Sequence, residues 1–172
     1  MIVTEINLRE LIEQHDMLPQ CCYDTFSLTL HLSRFIRKYN FPQDQIITYG
    51  ETIDETHIIK ETISNEYILY PGQSILACSC EKVRMPAGYI GFLQTKGSLA
   101  RLYVTVHCCD GQVEPGFEGC VTFEICNLGN LNIRLLPESP VAQLFVMKTS
   151  SDKERYHGRY NKSEVPTHSF KH

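Results

Sequence analysis

The chain has 172 residues, 42% of them hydrophobic, and a formal net charge of −4, which suits one domain around one buried core and excludes two ordinary domains. That weak negative balance carries no basic field of the kind nucleic-acid binding needs. No apolar run is long enough to span a bilayer, and the N-terminus MIVTEINLRE lacks a basic region followed by an apolar core, so neither a membrane anchor nor a secretory signal is expected and the default location is cytoplasmic.

In chain order, Asn7-Leu8-Arg9-Glu10 reads as an N-cap with a carboxylate at N3, and Leu8, Leu11 and Ile12 fall on one helical face. The pattern predicts a short helix to about His15, closed by Pro19. Phe26 to Leu32 then alternates strictly and predicts a half-buried strand, with His31 on its polar face as a surface or hydrogen-bonded histidine. From Arg34 to Ser64 the periodicity is poor: turns are expected at Tyr39-Asn40-Phe41-Pro42 and Tyr49-Gly50, with a short strand at Gln45 to Thr48 between them. The cluster Arg34, Arg37 and Lys38 reads as a solvated face, with a share in phosphate binding across a subunit boundary left open.

From Glu66 the pattern is wholly β. Strands are expected at 67–70, 75–80, 89–94, 103–107, 119–126, 131–136 and 141–147, punctuated by Pro71-Gly72 and by Met85-Pro86-Ala87-Gly88. Many short strands without an internal repeat or a long helix predict an all-β sandwich or jelly-roll-like domain over 1–147. After Met147 the polar run Lys148 to Arg155 cannot bury itself, so 148–172 is expected to be a linker and mobile tail.

Eight cysteines invite a disulfide or zinc reading, yet the chain holds no C-x-x-C, and His107-Cys108-Cys109 lacks the glutamate and the later cysteine pair of zinc nucleobase deaminases. Reduced, mostly buried thiols are expected, with no metal ligands among the site residues.

The densest stretch is Gly91 to Asn127. Lys96-Gly97-Ser98-Leu99-Ala100-Arg101 combines a glycine, a hydroxyl and two flanking cations, the makings of an anion site. Cys120 to Cys126 alternates as a strand, with Val121, Phe123 and Ile125 on one face and Thr122, Glu124 and Cys126 on the other. Glu124 is then either a solvated strand carboxylate or a carboxylate in a cleft that accepts a proton.

The ordered set GFLQTKGSLARL, VEPGFEG and VTFEICN, preceded by EYILYPGQSILACSCEKVRMP and followed by SPVAQLFV and RYHGRYNKSEVPTHS, resembles the dCTP deaminase branch of the trimeric dUTPase superfamily. The resemblance implies the distorted β-barrel of the dUTPase-like (β-clip) type with a short N-terminal helix, assembled as a homotrimer with active sites between subunits. It also implies zinc-independent deamination of a cytosine deoxynucleotide, dCTP to dUTP plus ammonia. Glu124 matches the family's catalytic glutamate and would be the general base, and Arg101, the last residue of the family's R-S-S-L-A-R loop, would hold carboxylate and water. Lys96, Ser98 and Arg159 are the triphosphate candidates, with Mg2+ carried mainly by the phosphates. Gln112, Val113, Glu114 and Phe117 would meet sugar and base, and the segment from Tyr156 to Asn161, with Pro166 to Ser169, would close over bound nucleotide.

Three positions depart from the family pattern. Gly97 stands where the loop carries a serine, Gln112 where the deaminases commonly carry an arginine, and Glu114 where they carry aspartate. Loss of one well-placed donor costs roughly a hundred- to a thousand-fold in rate, so either Ser98 or Thr95 compensates, the substrate differs, or catalysis is weak. A deaminase, a dUTPase-type diphosphohydrolase using the Glu114 loop, and a nucleotide-binding regulator without turnover all remain open from the sequence.

Overall fold

The alternation that begins near Phe26 runs much further than seven residues. In a computed structural model of the chain, which describes residues 1–168, Ser27–Tyr39 is one thirteen-residue strand. The other strands, numbered in chain order, are β1 Ile2–Val3, β2 Tyr23–Asp24, β4 Ile58–Thr62, β5 Tyr67–Leu69, β6 Ser74–Arg84, β7 Tyr89–Thr95, β8 Val104–Thr105, β9 Gln112–Val113, β10 Glu118–Asn127, β11 Ile133–Leu135 and β12 Pro140–Lys148, with Ser27–Tyr39 as β3. Helices are α1, Glu5–His15, and a single turn α2, Gly97–Ala100. The expected all-β class, with one short N-terminal helix, is what the chain adopts.

β3 is the hinge of the architecture because it belongs to two sheets. Its first half pairs with β12 at Leu28, Thr29, Leu30 and His31, while its second half pairs with β6 and β4. The register slips between Leu32 and Ile36, so the strict alternation breaks there and the strand bends from one sheet into the next. That bulge is why the residues after Leu32 show no readable period. The main path runs β8-β10-β6-β3-β12-β7-β9, and the segment between β8 and β9 closes the curl: Glu124 N–H donates to the Val106 carbonyl at 3.0 Å, and Leu93 N–H donates to the Gly111 carbonyl at 2.7 Å. Residues 104–113 thus bridge β10 to β7.

The core lies inside this curl. Leu28, Leu30, Leu32 and Ile36 of β3, Phe123 and Ile125 of β10, and Val141, Leu144 and Val146 of β12 are all buried, and they stabilise the barrel by roughly 1.5–3 kcal/mol for each large side chain removed from water. α1 joins this core through Leu8, Leu11 and Ile12. Its start corrects the sequence expectation: Thr4 is the N-cap, with no side-chain bond, and Asn7 lies within the first turns. Tertiary burial of Leu8 outweighs the local capping signal. The helix does stop at His15, where Asp16 turns left-handed and its N–H caps Ile12. Gln45 to Thr48 forms no strand, and Ile58–Thr62, not foreseen, pairs with the far half of β3.

The end of β10 is fixed by a fully buried asparagine. Asn127 Nδ2 donates to the carbonyls of Leu69 at 3.0 Å and Leu131 at 2.8 Å, while its Oδ1 accepts from Gly129 N–H at 3.0 Å. Burying this amide is tolerated because its donors and acceptor are satisfied.

Residues 156–168 lie along β10 as an irregular strap. Cys120 N–H donates to the Ser163 carbonyl at 2.8 Å, Lys162 N–H to the Glu118 carbonyl at 2.5 Å, Glu118 N–H to Asn161 Oδ1 at 2.7 Å and Thr167 N–H to Thr122 Oγ1 at 3.1 Å. Gly119, at φ 149°, permits this approach, since a Cβ there would meet the Ser163 backbone at 2.9 Å. Ser169, which ends the tail motif, lies outside the described residues.

Candidate active site

Alternation on β10 sends Val121, Phe123 and Ile125 into the core and leaves Thr122, Glu124 and Cys126 on the partly exposed face. That face is one wall of a cleft of about 780 Å³, within the size range of small-molecule sites. Gln112, Val113, Glu114 and Phe117 also line it, and the strap supplies Tyr156, Tyr160, Thr167 and His168. Phe117 is both core and lining: it is buried, and its ring meets Tyr156 in a tilted pair with centroids 6.3 Å apart.

The Glu124 carboxylate is held by the loop that closes the barrel. Its Oε2 accepts the backbone N–H of Cys109 at 2.7 Å and of Asp110 at 3.2 Å. The loop is itself pinned, because Asp110 Oδ1 accepts from Gln112 N–H at 3.2 Å and Thr95 Oγ1 accepts from Val106 N–H at 3.0 Å. With one oxygen fixed by two donors, the carboxylate has a set direction and keeps Oε1 for another partner. Thr95, a candidate to replace the missing loop hydroxyl, is thus engaged in holding Val106.

The Lys96 to Arg101 turn is not part of this cleft within one chain. Neither Lys96, Ser98 nor Arg101 lines it. Lys96 Nζ lies 3.4 Å from Asp24 Oδ2 and 3.4 Å from Thr29 Oγ1, and Arg101 Nη1 donates to the Gly97 carbonyl at 3.1 Å. Ser98 is exposed at the rim of α2, and Arg159, exposed in the strap, is not among the lining residues either. The single chain therefore gathers Glu124, Gln112, Val113, Glu114, Phe117 and Tyr156, and leaves Arg101, Lys96, Ser98 and Arg159 elsewhere.

Residues not singled out for the site also line it. Arg37 and Lys38 reach the cleft from the far half of β3; Lys38 pairs with Glu61 at 2.5 Å, and Arg37 Nη1 lies 2.5 Å from His168 Nδ1. The sequence reads them as a solvated face and leaves a share in phosphate binding open, because the bulge in β3 hides which side they occupy. Cys108, Cys109, Cys120 and Cys126 line the same space. All eight cysteines are free thiols, and the expectation of mostly buried ones is corrected: Cys21, Cys80, Cys108 and Cys109 are exposed. A hydrogen bond with Cys126, and secondarily burial, push the Cys108 thiol up to about 11, which keeps it protonated and unreactive near neutrality.

No helix among the described residues is long and apolar enough to cross a membrane. Comparison with known proteins places the chain among its relatives. Residues 2–149 match the family model for dCTP deaminase-like proteins. The chain is 35% identical to a dUMP-forming dCTP deaminase of Corynebacterium kroppenstedtii over 77% of its own length and 71% of that protein, and 33% identical to one of Streptomyces coelicolor over 83% and 78%. Its fold matches the crystal structure of 2'-deoxycytidine 5'-triphosphate deaminase from Agrobacterium tumefaciens with a TM-score of 0.66 at 17% identity, over 86% of this chain and 48% of that one, so this chain spans about half the length of that protein. With the family model matching most of the chain, and two relatives above 30% identity on top of the shared barrel, the chain is an enzyme of the dCTP deaminase-like family.

Proposed function

We propose that this protein hydrolyses dCTP to ammonia and dUTP at Glu124, and that the same cleft carries dUTP on to dUMP and pyrophosphate. The observation that carries the first step is the pinned carboxylate: Oε2 is fixed by Cys109 and Asp110 N–H, so Oε1 is directed to take a proton from water as the water attacks the ring carbon bearing the amino group. The amine leaves as ammonia once it gains that proton. Phe117 and Val113 supply an apolar wall for the pyrimidine, as a flat ring requires.

For the second step, the relatives' names and one feature of the cleft agree. Glu114 lines it as Glu124 does, giving a second carboxylate to activate a second water, this time for attack on phosphorus, with pyrophosphate departing. Magnesium fits as an ion carried by the phosphates. Among the described residues the cleft's carboxylates form no cluster of three ligand groups, so most of the shell of such a metal would come from phosphate and water, where the ion would offset phosphate charge.

The Lys96 to Arg101 turn enters this scheme from a neighbouring protomer. In support, β12 and β7 present an apolar outer strip: Phe145 faces Phe92, which is 36% exposed, and Met147 faces Ile90. Burying that strip in a homotrimer would bring one subunit's Arg101 and Ser98 to the next subunit's Glu124, with Lys96 beside the phosphates near Arg37 and Lys38. The tail through His168 acts as the cover, with Tyr156 already against Phe117 and Arg159 as a phosphate contact.

The test is to incubate the protein with dCTP and with dUTP and to measure ammonia and pyrophosphate separately. Ammonia and pyrophosphate in equal amounts from dCTP are expected, with pyrophosphate alone lost in Glu114→Gln. Ammonia without pyrophosphate would limit the reaction to the first step, and pyrophosphate from dUTP with no ammonia from dCTP would replace the proposal with a diphosphohydrolase.

A further inference from the structure

Away from the cleft, three side chains from separate stretches meet at one point. Cys22 ends the short 3-10 turn Gln20–Cys22 that leads into β2, His31 lies on β3, and Glu81 lies on β6. One donor atom from each lies within 4.8 Å of the other two. Cys22 has no exposed surface, and the side chains of Glu81 and His31 are 10% and 28% exposed. None of the three lines the cleft.

Their local chemistry is that of a donor set. Glu81 Oε1 lies 2.6 Å from His31 Nδ1, and Glu81 Oε2 accepts the His31 backbone N–H at 3.0 Å, so the carboxylate aims at the imidazole with both oxygens fixed. Burial, and then the Glu81 charge, push the Cys22 thiol up to about 12; a cation at this point would relieve both effects, because it takes the thiolate and neutralises the carboxylate. One sulfur, one imidazole nitrogen and one carboxylate oxygen suit zinc, whereas magnesium and calcium prefer oxygen alone.

We propose that Cys22, His31 and Glu81 form a three-ligand site for a zinc-class divalent ion, which ties the turn before β2 to β3 and β6, with water as fourth ligand on the partly exposed His31 side. Zinc–ligand lengths of about 2.0–2.3 Å put tetrahedral ligand atoms about 3.3–3.6 Å apart. The His31–Glu81 contact therefore opens by about 0.7–1 Å and the widest pair closes by about 1.2 Å, movements within reach of side-chain torsions. On binding, the thiol proton leaves to solvent, and the proton between His31 and Glu81 gives way to the metal, the imidazole keeping its one N–H at Nε2 by exchange with solvent. The site is a clamp on the fold, distinct from the chemistry of the cleft. Its ligands share no short sequence spacing, which is why no zinc pattern marks them.

The test is to titrate the metal-stripped full-length protein with Co2+ and to read the cobalt–thiolate charge-transfer absorption, with Zn2+ as competitor and Tm as a second readout. Expected are one equivalent of cobalt with a thiolate band, its displacement by zinc, and a Tm raised by zinc. Cys22→Ser should remove the band, and the double variant Cys108→Ser/Cys109→Ser should keep it. Should Cys22→Ser fail to fold, His31→Gln, on the more exposed side, carries the test: affinity should fall about tenfold or more with unchanged circular dichroism. A missing band in wild type, a band that survives Cys22→Ser or is unweakened in folded His31→Gln, or one lost with Cys108 and Cys109 would overturn the site.

Discussion

The β10 wall and the Lys96 to Arg101 turn are neighbours in sequence and carry the two halves of one motif, but they play opposite structural parts. Glu124 is fixed by its own chain, through loop N–H groups and a barrel that closes against it. The turn is exposed, satisfies its arginine on its own Gly97 carbonyl, and lines no cleft. One half of the site is therefore held in place within a single chain, and the other half lies outside the cleft of that chain. A motif read along the chain does not say which residues share a site; the barrel's closure decides that.

The sharpest way to break this comparison is to remove the half held within the chain. Glu124→Gln keeps the size of the side chain and its acceptor oxygen but cannot take a proton, so ammonia release from dCTP should fall by about 10²–10⁴-fold while nucleotide binding persists in a calorimetric titration. Retained turnover would return Glu124 to a solvated strand carboxylate.

The half outside the cleft is tested by mixing. Arg101→Ala should lose about 10²–10³-fold in ammonia release, comparable to removing one preorganised donor. If the turn serves a neighbour's cleft, co-refolding equal amounts of Arg101→Ala and Glu124→Gln should restore about one quarter of wild-type activity, because a site between two randomly chosen subunits of a symmetric ring inherits both intact groups one time in four. No recovery would place both residues on the same chain's site.

Gly97 sharpens the comparison in the other direction. A Cβ at Gly97 would meet only Arg101 Nη1, at 3.2 Å, the far end of a flexible side chain, so Gly97→Ser is accommodated without moving the backbone. Restoring the hydroxyl should raise kcat for deamination by about tenfold or more, part of the 10²–10³ that a placed donor supplies. An unchanged rate would show that Ser98 or water already fills that role.

How much of this was legible in the sequence follows from where local pattern and tertiary geometry agree. Phe123 and Ile125 in, Thr122 and Glu124 out, was readable because β10 keeps strict alternation. Arg37 and Lys38 were hidden, since the slip between Leu32 and Ile36 shifts the face of everything beyond it. The Cys109 and Asp110 donors carry no side-chain signal at all, because their contribution is backbone N–H. Arg101 was placed beside Glu124 by motif order alone, and the single chain does not bring them together.

The smallest expected effect concerns the strap, which joins the cleft from its own chain and so belongs with the half held within it. Its last described residue, His168, is buried, lies 2.5 Å from Arg37 through Nδ1 and 3.3 Å from Glu55 through Nε2. Burial, then the Arg37 charge, hold its pKa below the ordinary 6.5, with Glu55 opposing them. A base whose pKa is depressed on docking binds fewer protons docked than free. Docking is thus at full strength above pH 6.5 and weakens as pH falls from there toward the docked value. Amide exchange should report this directly: the Cys120 N–H, bonded to Ser163, and the Thr167 N–H, bonded to Thr122, should exchange a few-fold faster, after correction for intrinsic rates, at pH 5.5 than at pH 7.5. His168→Gln should flatten that dependence while Asn127 amide protection deep in the barrel stays as it was. Equal protection at both pH values in the wild-type chain would mean that the strap is held by its backbone bonds to β10 alone, with His168 a passenger.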